Sequence, residues 1–470
     1  MRMFLNLERY ENKRLAALDD AGHEITYGEL VENAKHFEMP MLKRSVVFFL
    51  AHNSVASLNA YYSMVENDII PVMLSQDINA TLLQTLIDTY QPPYICALDD
   101  KASNLPYEKV ISTCGCTYLA TGFAPYPVND KLQLLMTTSG STGSPKLVRY
   151  KKGNLEANAA NVALAFDWTE KERPICDLAM NYTMGLNVVN THLYVGATLL
   201  LVASNITSGE YWKFIKENEG TNFTGVPFSY ELLTRLRFFR MDIPSLTTMS
   251  EGGGRLTDKM FRDFAQFAAD HGKRFIASFG TTETAARLSV LPPNRALDKI
   301  GSIGKAIPGG RMVIMDDAGK EIETTEAEGE LGYYGPNVTM GYATEKGDLM
   351  KDDEFNGFYK TGDIAKRDAE GFYYIVGRKS RFLKLLGYRV SLDQCERLIK
   401  AEFKVDCACG GTDKQMLIFV TSAQIVEEVK NFIADKTGLF KTLFKVIAVD
   451  EIPRNRNGKV AYKQLESLTE

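Results

Sequence analysis

The densest chemistry in this chain sits in one short loop, Thr137-Thr138-Ser139-Gly140-Ser141-Thr142-Gly143-Ser144-Pro145-Lys146, which follows directly on an apolar segment, Leu132 to Met136. Glycines let backbone N–H groups approach an oxyanion closely, hydroxyls add short donors, and a lysine brings a movable point charge, so the composition suits a polyphosphate. The spacing is not that of a kinase-type P-loop, because Pro145 precedes the lysine and Leu147 follows it. A solvated Ser/Thr/Gly linker has the same composition, and the segment alone leaves both readings open. Four further segments carry polar chemistry that a linker does not need. They are Phe279-Gly280-Thr281-Thr282-Glu283, Tyr359-Lys360-Thr361-Gly362-Asp363, Gly377-Arg378 running on to Gly387-Tyr388-Arg389, and Asn457-Gly458-Lys459.

The elements that must hold these segments alternate. Val46–Leu50, Ile69–Leu74 and Tyr94–Leu98 are apolar runs of strand length, separated by helical patterns over Ser54–Glu66 and Ala80–Tyr90. That order predicts a parallel sheet with crossover helices. It resumes after the hydroxyl-rich loop with helices at Gly153–Phe166 and Leu186–Tyr194, a strand at Thr198–Val202, a helix at Gly209–Asn218, a strand at Thr221–Val226 and a helix after Pro227. A second α/β layer follows. From Gly301 to Val376 short strands broken by Gly and Asp-Asp predict a small β-barrel-like subdomain. Beyond Arg378 the remaining stretch of about 90 residues has the size of an independent α+β domain.

With 470 residues, 45% of them hydrophobic, the chain can bury large cores and has room for roughly three domain-sized units. A net charge of −5 gives no electrostatic footprint for nucleic acid. No apolar run is long enough to cross a membrane, and Met1 to Arg14 is charged where a secretory leader is apolar, so a soluble, cytoplasmic protein is expected. The cysteines at 96, 114, 116, 176, 395, 407 and 409 include two Cys-x-Cys pairs, but these lack the two-residue spacing and histidine partners of a metal site and read as reduced, mostly buried thiols.

The order and spacing of the five motifs resemble the adenylate-forming (AMP-binding) superfamily of acyl-CoA synthetases, peptide-synthetase adenylation domains and luciferases. Thr26-Tyr27-Gly28-Glu29-Leu30, Gly329-Glu330-Leu331, Gly335-Pro336 and Gly341-Tyr342 extend the resemblance over nearly the whole chain. It implies an N-terminal AMP-binding domain over residues 1–377, made of two α/β sheet subdomains and the β-barrel-like one, a hinge at 378–381 with Ser380 in the pivot position, and a small mobile α+β lid over 382–470. It also implies a reaction in which a carboxylate displaces pyrophosphate from ATP and the acyl group then passes to a thiol, with Mg2+ and either CoA or a carrier-protein phosphopantetheine taking part. Two anions must then meet, so positive charge is required.

On the matching positions, Thr138, Ser139, Gly140, Ser141, Thr142, Gly143 and Lys146 would hold the β- and γ-phosphates. Lys459 would bridge the attacking carboxylate and the α-phosphate. Thr282 would donate to that phosphate and Glu283 would hold Mg2+. Phe279, with Gly280 and Thr281, would border the adenine, although core packing serves Phe279 as well. Gly252 and Gly253, in a glycine triplet, would line the nucleotide and acyl pockets. Asp363 would accept both ribose hydroxyls, reinforced by Arg378. In the second half-reaction Gly387 would pass a pantetheine arm and Arg389 would meet the phosphates of the thiol substrate. The chain departs from the pattern at Val460-Ala461-Tyr462, where many members carry an arginine, and at Ser380, where Asp or Lys is usual.

Tyr182-Thr183-Met184-Gly185 bears on the acid. Amino-acid-activating relatives place an aspartate against the substrate ammonium where this chain has Thr183, and burying an ammonium without that countercharge is costly, so a small non-amino carboxylic acid is expected. Tyr182 and Gly185 match a His-x-x-Gly frame of acyl-CoA ligases, with Tyr182, Met184 and Gly185 at the acyl pocket and Asn187 and Val188 as further candidate wall residues. The leading expectation is an acid–thiol ligase using CoA. The alternatives are loading of an acyl or aminoacyl group onto an acyl carrier protein, and a nucleotide-binding protein without catalysis.

Overall fold

The computed structural model describes residues 4–37, 42–137, 146–386, 388–454 and 460–466, apart from the side chains of Arg389, Lys463 and Glu466. The chain divides into two compact units, Met1–Arg311 with Tyr333–Tyr359, and Met312–Gly332 with Lys360–Glu470.

Two sheets build the first unit. One has eight strands in the order Tyr342–Ala343, Leu147–Lys151, Leu132–Thr137, Ile70–Ser75, Val46–Ala51, Tyr94–Leu98, Cys116–Ala120 and Glu108–Thr113. Its centre is parallel, and Val46–Ala51 is buried along its whole length. Strands covered on both faces read as continuous apolar runs, which is why Val46-Val47-Phe48-Phe49-Leu50 shows no alternation. The alternation is nevertheless present in space: Phe48 and Leu50 pack with Val72, Leu74 and Tyr90, while Val47 and Phe49 face Tyr61, Tyr62 and Met73 in a separate core. Leu147–Lys151 turns back antiparallel against Leu132–Thr137, so the hydroxyl-rich loop connects two neighbouring strands.

The other sheet has nine strands in the order Lys305–Ala306, Ser289–Leu291, Arg274–Phe279, Thr248–Glu251, Asn222–Gly225, Pro174–Cys176, Leu199–Leu201, Leu15–Asp19 and Glu24–Thr26. From Arg274–Phe279 to Leu15–Asp19 it is parallel throughout. Helices Asn154–Phe166 and Thr183–Val195 pack on each other and share the core of the first sheet through Leu155, Ala159, Leu186, Val189 and Leu193. The second of these begins three residues before its apolar pattern announces it. Its N-cap is Tyr182, which makes no side-chain cap, and the entry works because Gly185 lets the backbone close on its surroundings: a Cβ there would lie 2.3 Å from the Ala179 carbonyl oxygen. It ends at Gly196 in the left-handed conformation, φ 78°.

A four-stranded sheet, Arg311–Met315, Ala327–Tyr334, Phe358–Arg367 and Tyr373–Arg378, falls mainly in the second unit, with Arg311, Tyr333, Tyr334, Phe358 and Tyr359 assigned to the first. A hairpin, Phe382–Leu385 with Tyr388–Ser391, then leads to helix Leu392–Phe403 and a three-stranded sheet backed by helix Val426–Thr437. Leu383, Ile399, Cys407, Ile418, Ile433 and Phe444 form its core. The fold class expected from the motifs is the one observed. All seven cysteines are free, and six are buried, with Cys114 exposed. Among the described residues no helix is long and apolar enough to cross a membrane.

Candidate active site

Strand Arg274–Phe279 runs out at Gly280, where the chain must fold back on itself: a Cβ at Gly280 would lie 1.3 Å from the Ala286 carbonyl oxygen. The turn that follows contains two consecutive alanines with positive φ, Ala285 at 52° and Ala286 at 93°. An L-residue there is strained by about 1–2 kcal/mol, a cost that persists only where neighbours over-determine the backbone. Here they do. Ala286 N–H donates to the Thr281 carbonyl at 3.1 Å, Thr339 N–H to the Glu283 carbonyl at 2.9 Å, Tyr150 Oη to the Thr282 carbonyl at 2.7 Å, and Asn337 Nδ2 to the Thr284 carbonyl at 2.7 Å. The carbonyls of Thr282 and Glu283 are thus each held by a residue from elsewhere in the chain.

The Glu283 carboxylate accepts a hydrogen bond from Tyr342 Oη at 2.7 Å, and the ammonium of Lys146 lies 3.3 Å above the centre of the same tyrosine ring. Strand register explains the meeting, since Tyr342 pairs with Val148 and Ala343 with Leu147. Tyr342 therefore binds a cation on its ring face and an anion at its hydroxyl, keeping opposite charges near each other without a direct ion pair. Thr183 Oγ1 donates to Thr282 Oγ1 at 3.2 Å, so the residue standing in the aspartate frame touches the threonine expected at the α-phosphate.

Gly252 and Gly253 follow strand Thr248–Glu251, and Gly253 has φ 75°. A Cβ on Gly253 would fall 2.6 Å from Tyr182 Oη, and one on Gly252 would fall 3.1 Å from Met184 Sδ. The glycine pair and the Tyr182-Thr183-Met184-Gly185 segment are brought together. Burial pushes the Tyr182 phenol up to about 12, so it is a neutral donor at ordinary pH.

In the second unit Asp363 and Arg378 sit opposite each other in register on paired strands, and Arg378 Nε lies 2.9 Å from Asp363 Oδ1. Asp363 is buried, and its N–H donates to Thr361 Oγ1 at 3.0 Å. Ser380 is exposed within the short turn Lys379–Arg381. That turn is tied on both sides, by Lys379 to Glu330 at 2.8 Å and by Arg381 to Asp393 and Glu396. Thr138, Ser139, Gly140, Ser141, Thr142, Gly143, Gly387 and Lys459 lie outside the described residues, as does the Arg389 side chain.

Four side chains at the first unit's site were not picked out as site residues from sequence. Tyr342 lay in the Gly341-Tyr342 motif, but nothing in the motif says that it bridges Lys146 and Glu283. Tyr150 carried no signal. Glu251 and Arg287 belong to none of the motifs and are both buried, at 6% and 1% exposure. Burial pushes the Glu251 carboxyl up to about 8, with Arg255 opposing, and pulls the Arg287 guanidinium down to about 10.

The strained turn and the charges gathered at Tyr342 stand in a chain whose class is given by its likeness to known enzymes. A family model for AMP-binding enzymes matches residues 5–343, and the chain belongs to that family. It is 25% identical over 377 residues to 2-succinylbenzoate–CoA ligase of Listeria innocua, covering 78% of this chain and 76% of the relative. The enzyme of the same name from Listeria monocytogenes is 23% identical over 468 residues, covering 96% of each chain. Among solved structures, o-succinylbenzoate CoA synthetase (MenE) from Bacillus subtilis, in complex with the acyl-adenylate intermediate OSB-AMP, shares the fold with a TM-score of 0.80 at 20% identity, covering 99% of this chain and 98% of that one.

Proposed function

We propose that this protein is an ATP-dependent acid–CoA ligase: it joins a small carboxylic acid to AMP, releasing pyrophosphate, and passes the acyl group to the sulfur of CoA. The observation that carries this reading is the Lys146–Tyr342–Glu283 arrangement beside the strained Thr282 turn, in a chain of the AMP-binding family. A polyphosphate competes well against a neutral ring for the Lys146 ammonium, because full charges attract more strongly than a ring quadrupole. Glu283 uses one carboxylate oxygen for Tyr342, and its carboxylate has no other partner among the described residues, which fits a hard-cation ligand. Mg2+ held there would neutralise charge on the phosphate oxygens.

In the first half-reaction a carboxylate oxygen of the acid attacks the α-phosphorus and the bond to pyrophosphate breaks. Thr282 orients the α-phosphate, and Lys459 offsets the charge shifting between the two anions. In the second, the CoA sulfur attacks the acyl carbon and AMP leaves, with Gly387 and Arg389 at the thiol. A lid over 382–470, pivoting at 378–381, exchanges these two sets of residues. Asp363 accepts the ribose hydroxyls and Arg378 supports it. The relatives' names speak for CoA as acceptor and none speaks for a carrier protein. A cytoplasmic location fits those reactants.

Thr183 in place of an aspartate supports an acid without an α-ammonium, and the relatives' names put 2-succinylbenzoate first among candidates. The test is ATP–pyrophosphate exchange over a panel of carboxylic and amino acids, followed by thioester formation with CoA. Exchange driven by a non-amino acid, with thioester appearing only when CoA is added, is expected. Preferred activation of an amino acid, or exchange with no acid, contradicts the reading.

A further inference from the structure

A buried cation needs an anion, and the acyl wall contains one that lacks it. Arg287 follows the strained turn and is 1% exposed, yet no carboxylate pairs with it among the described residues. Its Nη1 donates to Asn187 Oδ1 at 2.7 Å and its Nη2 to Thr224 Oγ1 at 3.3 Å, its face lies against Phe166, and its Nε has no partner. Glu251 does not neutralise it. That carboxyl is itself buried, keeps its proton to about pH 8 and leaves Oε2 unpartnered, as is the hydroxyl of buried Tyr230 nearby. Isolated charges in a protein interior cost several kcal/mol after relaxation, and such a group is retained where something else supplies its counterion.

The place of Arg287 says what supplies it. Its partner Asn187 is one turn beyond Thr183 on helix Thr183–Val195, and Thr183 is bonded to Thr282. Side chains at i and i+4 stand about 6 Å apart on a helix face. A small cavity touches both, with Asn158 and Asn190 also on its polar wall. Its other partner, Thr224, bonds Ser250 at 2.8 Å, and the strand of Ser250 ends in Gly252 and Gly253, against which Tyr182 and Met184 pack. Arg287 thus stands behind Asn187 and Thr224, one hydrogen bond removed both from the helix face that carries Thr183 and from the strands that lead to the glycine pair.

We infer that Arg287 is a specificity-determining residue which receives a second carboxylate of the acid. This rests on the ligase reading above. A guanidinium fork matches a carboxylate in a bidentate geometry, and the neutral phenol of Tyr182 nearby adds no repulsion. An acid lacking that group leaves Arg287 buried without its anion, and a site built on such a pairing rejects the analogue strongly.

Pyrophosphate exchange with a matched pair, 2-succinylbenzoate and 3-benzoylpropionate, which lacks only the ring carboxylate, tests this without mutation, and malonate, succinate and glutarate with their monomethyl esters extend it. The diacids should exceed their matched monoacids in kcat/KM by about 100-fold or more. Arg287→Met should shrink that ratio by at least about 30-fold, chiefly through KM, with Arg287→Lys between the two. The melting temperature of apo Arg287→Met should equal or exceed that of the native protein, since an unpaired buried charge has gone. Equal use of matched monoacids and diacids overturns the inference and leaves the ligase reading intact, whereas exchange with none of the acids fails the ligase reading itself. A large drop in melting temperature in Arg287→Met, with both acids losing activity equally, makes Arg287 structural and also overturns the inference.

Discussion

Two arginines in the first unit are almost wholly buried, and their surroundings differ. Arg149, 0% exposed, has its guanidinium 2.6 Å from Glu354 Oε2 and donates to the carbonyls of Met340, Lys351 and Asp352. It staples the segment that carries Gly341 and Tyr342 to strand Leu147–Lys151. Arg287, equally hidden, has two neutral partners and no acid. A structural buried cation is surrounded by acceptors that the chain itself provides. A cation kept short of acceptors beside a strained turn is held for a ligand.

Removing each arginine should separate the two cases. Arg149→Met strands three carbonyls and half-exposed Glu354, and should cost about 3 kcal/mol of unfolding free energy in denaturant titration. The loss should appear with no change in acid preference. If Arg149→Met melts like the native protein, the surrounding acceptors do not mark a structural role and the comparison fails.

A smaller effect concerns Glu251. Its folded carboxyl holds a proton to about pH 8 while an unfolded glutamate ionises near 4.5, so its contribution to stability is full below pH 4.5 and declines as pH rises toward 8. Glu251→Gln removes that titration. The variant should gain stability relative to the native protein by about 3.5 kcal/mol on going from pH 5 to pH 8. A difference that stays flat over this range means that Glu251 is ionised in the folded protein and contradicts this reading.

Much of the site was legible because its motifs are local. Gly280 and Glu283 belong to one short turn that only a glycine can enter, and Asp363 and Arg378 flank a hairpin that sets them opposite each other. The parallel sheets followed from alternation of strand and helix. What could not be read depends on distant packing. Leu15–Asp19 pairs with Leu199–Leu201, and Tyr342 reaches Lys146 only through strand register. Arg287 reads as an ordinary solvated arginine, since arginines are mostly exposed and only the tertiary fold buries this one. The start of helix Thr183–Val195 was missed because Tyr182 does not cap it, and its entry depends on the carbonyls of Leu178 and Ala179 packed against Gly185.

The central claim is that a carboxylate oxygen of the acid becomes bonded to the α-phosphorus of ATP. Turnover of an acid labelled with 18O in its carboxylate, with ATP and CoA, reports this directly by mass spectrometry of the nucleotide product. The account predicts AMP carrying one 18O from the acid and unlabelled pyrophosphate. Label in pyrophosphate or phosphate, or formation of ADP in place of AMP, would contradict it.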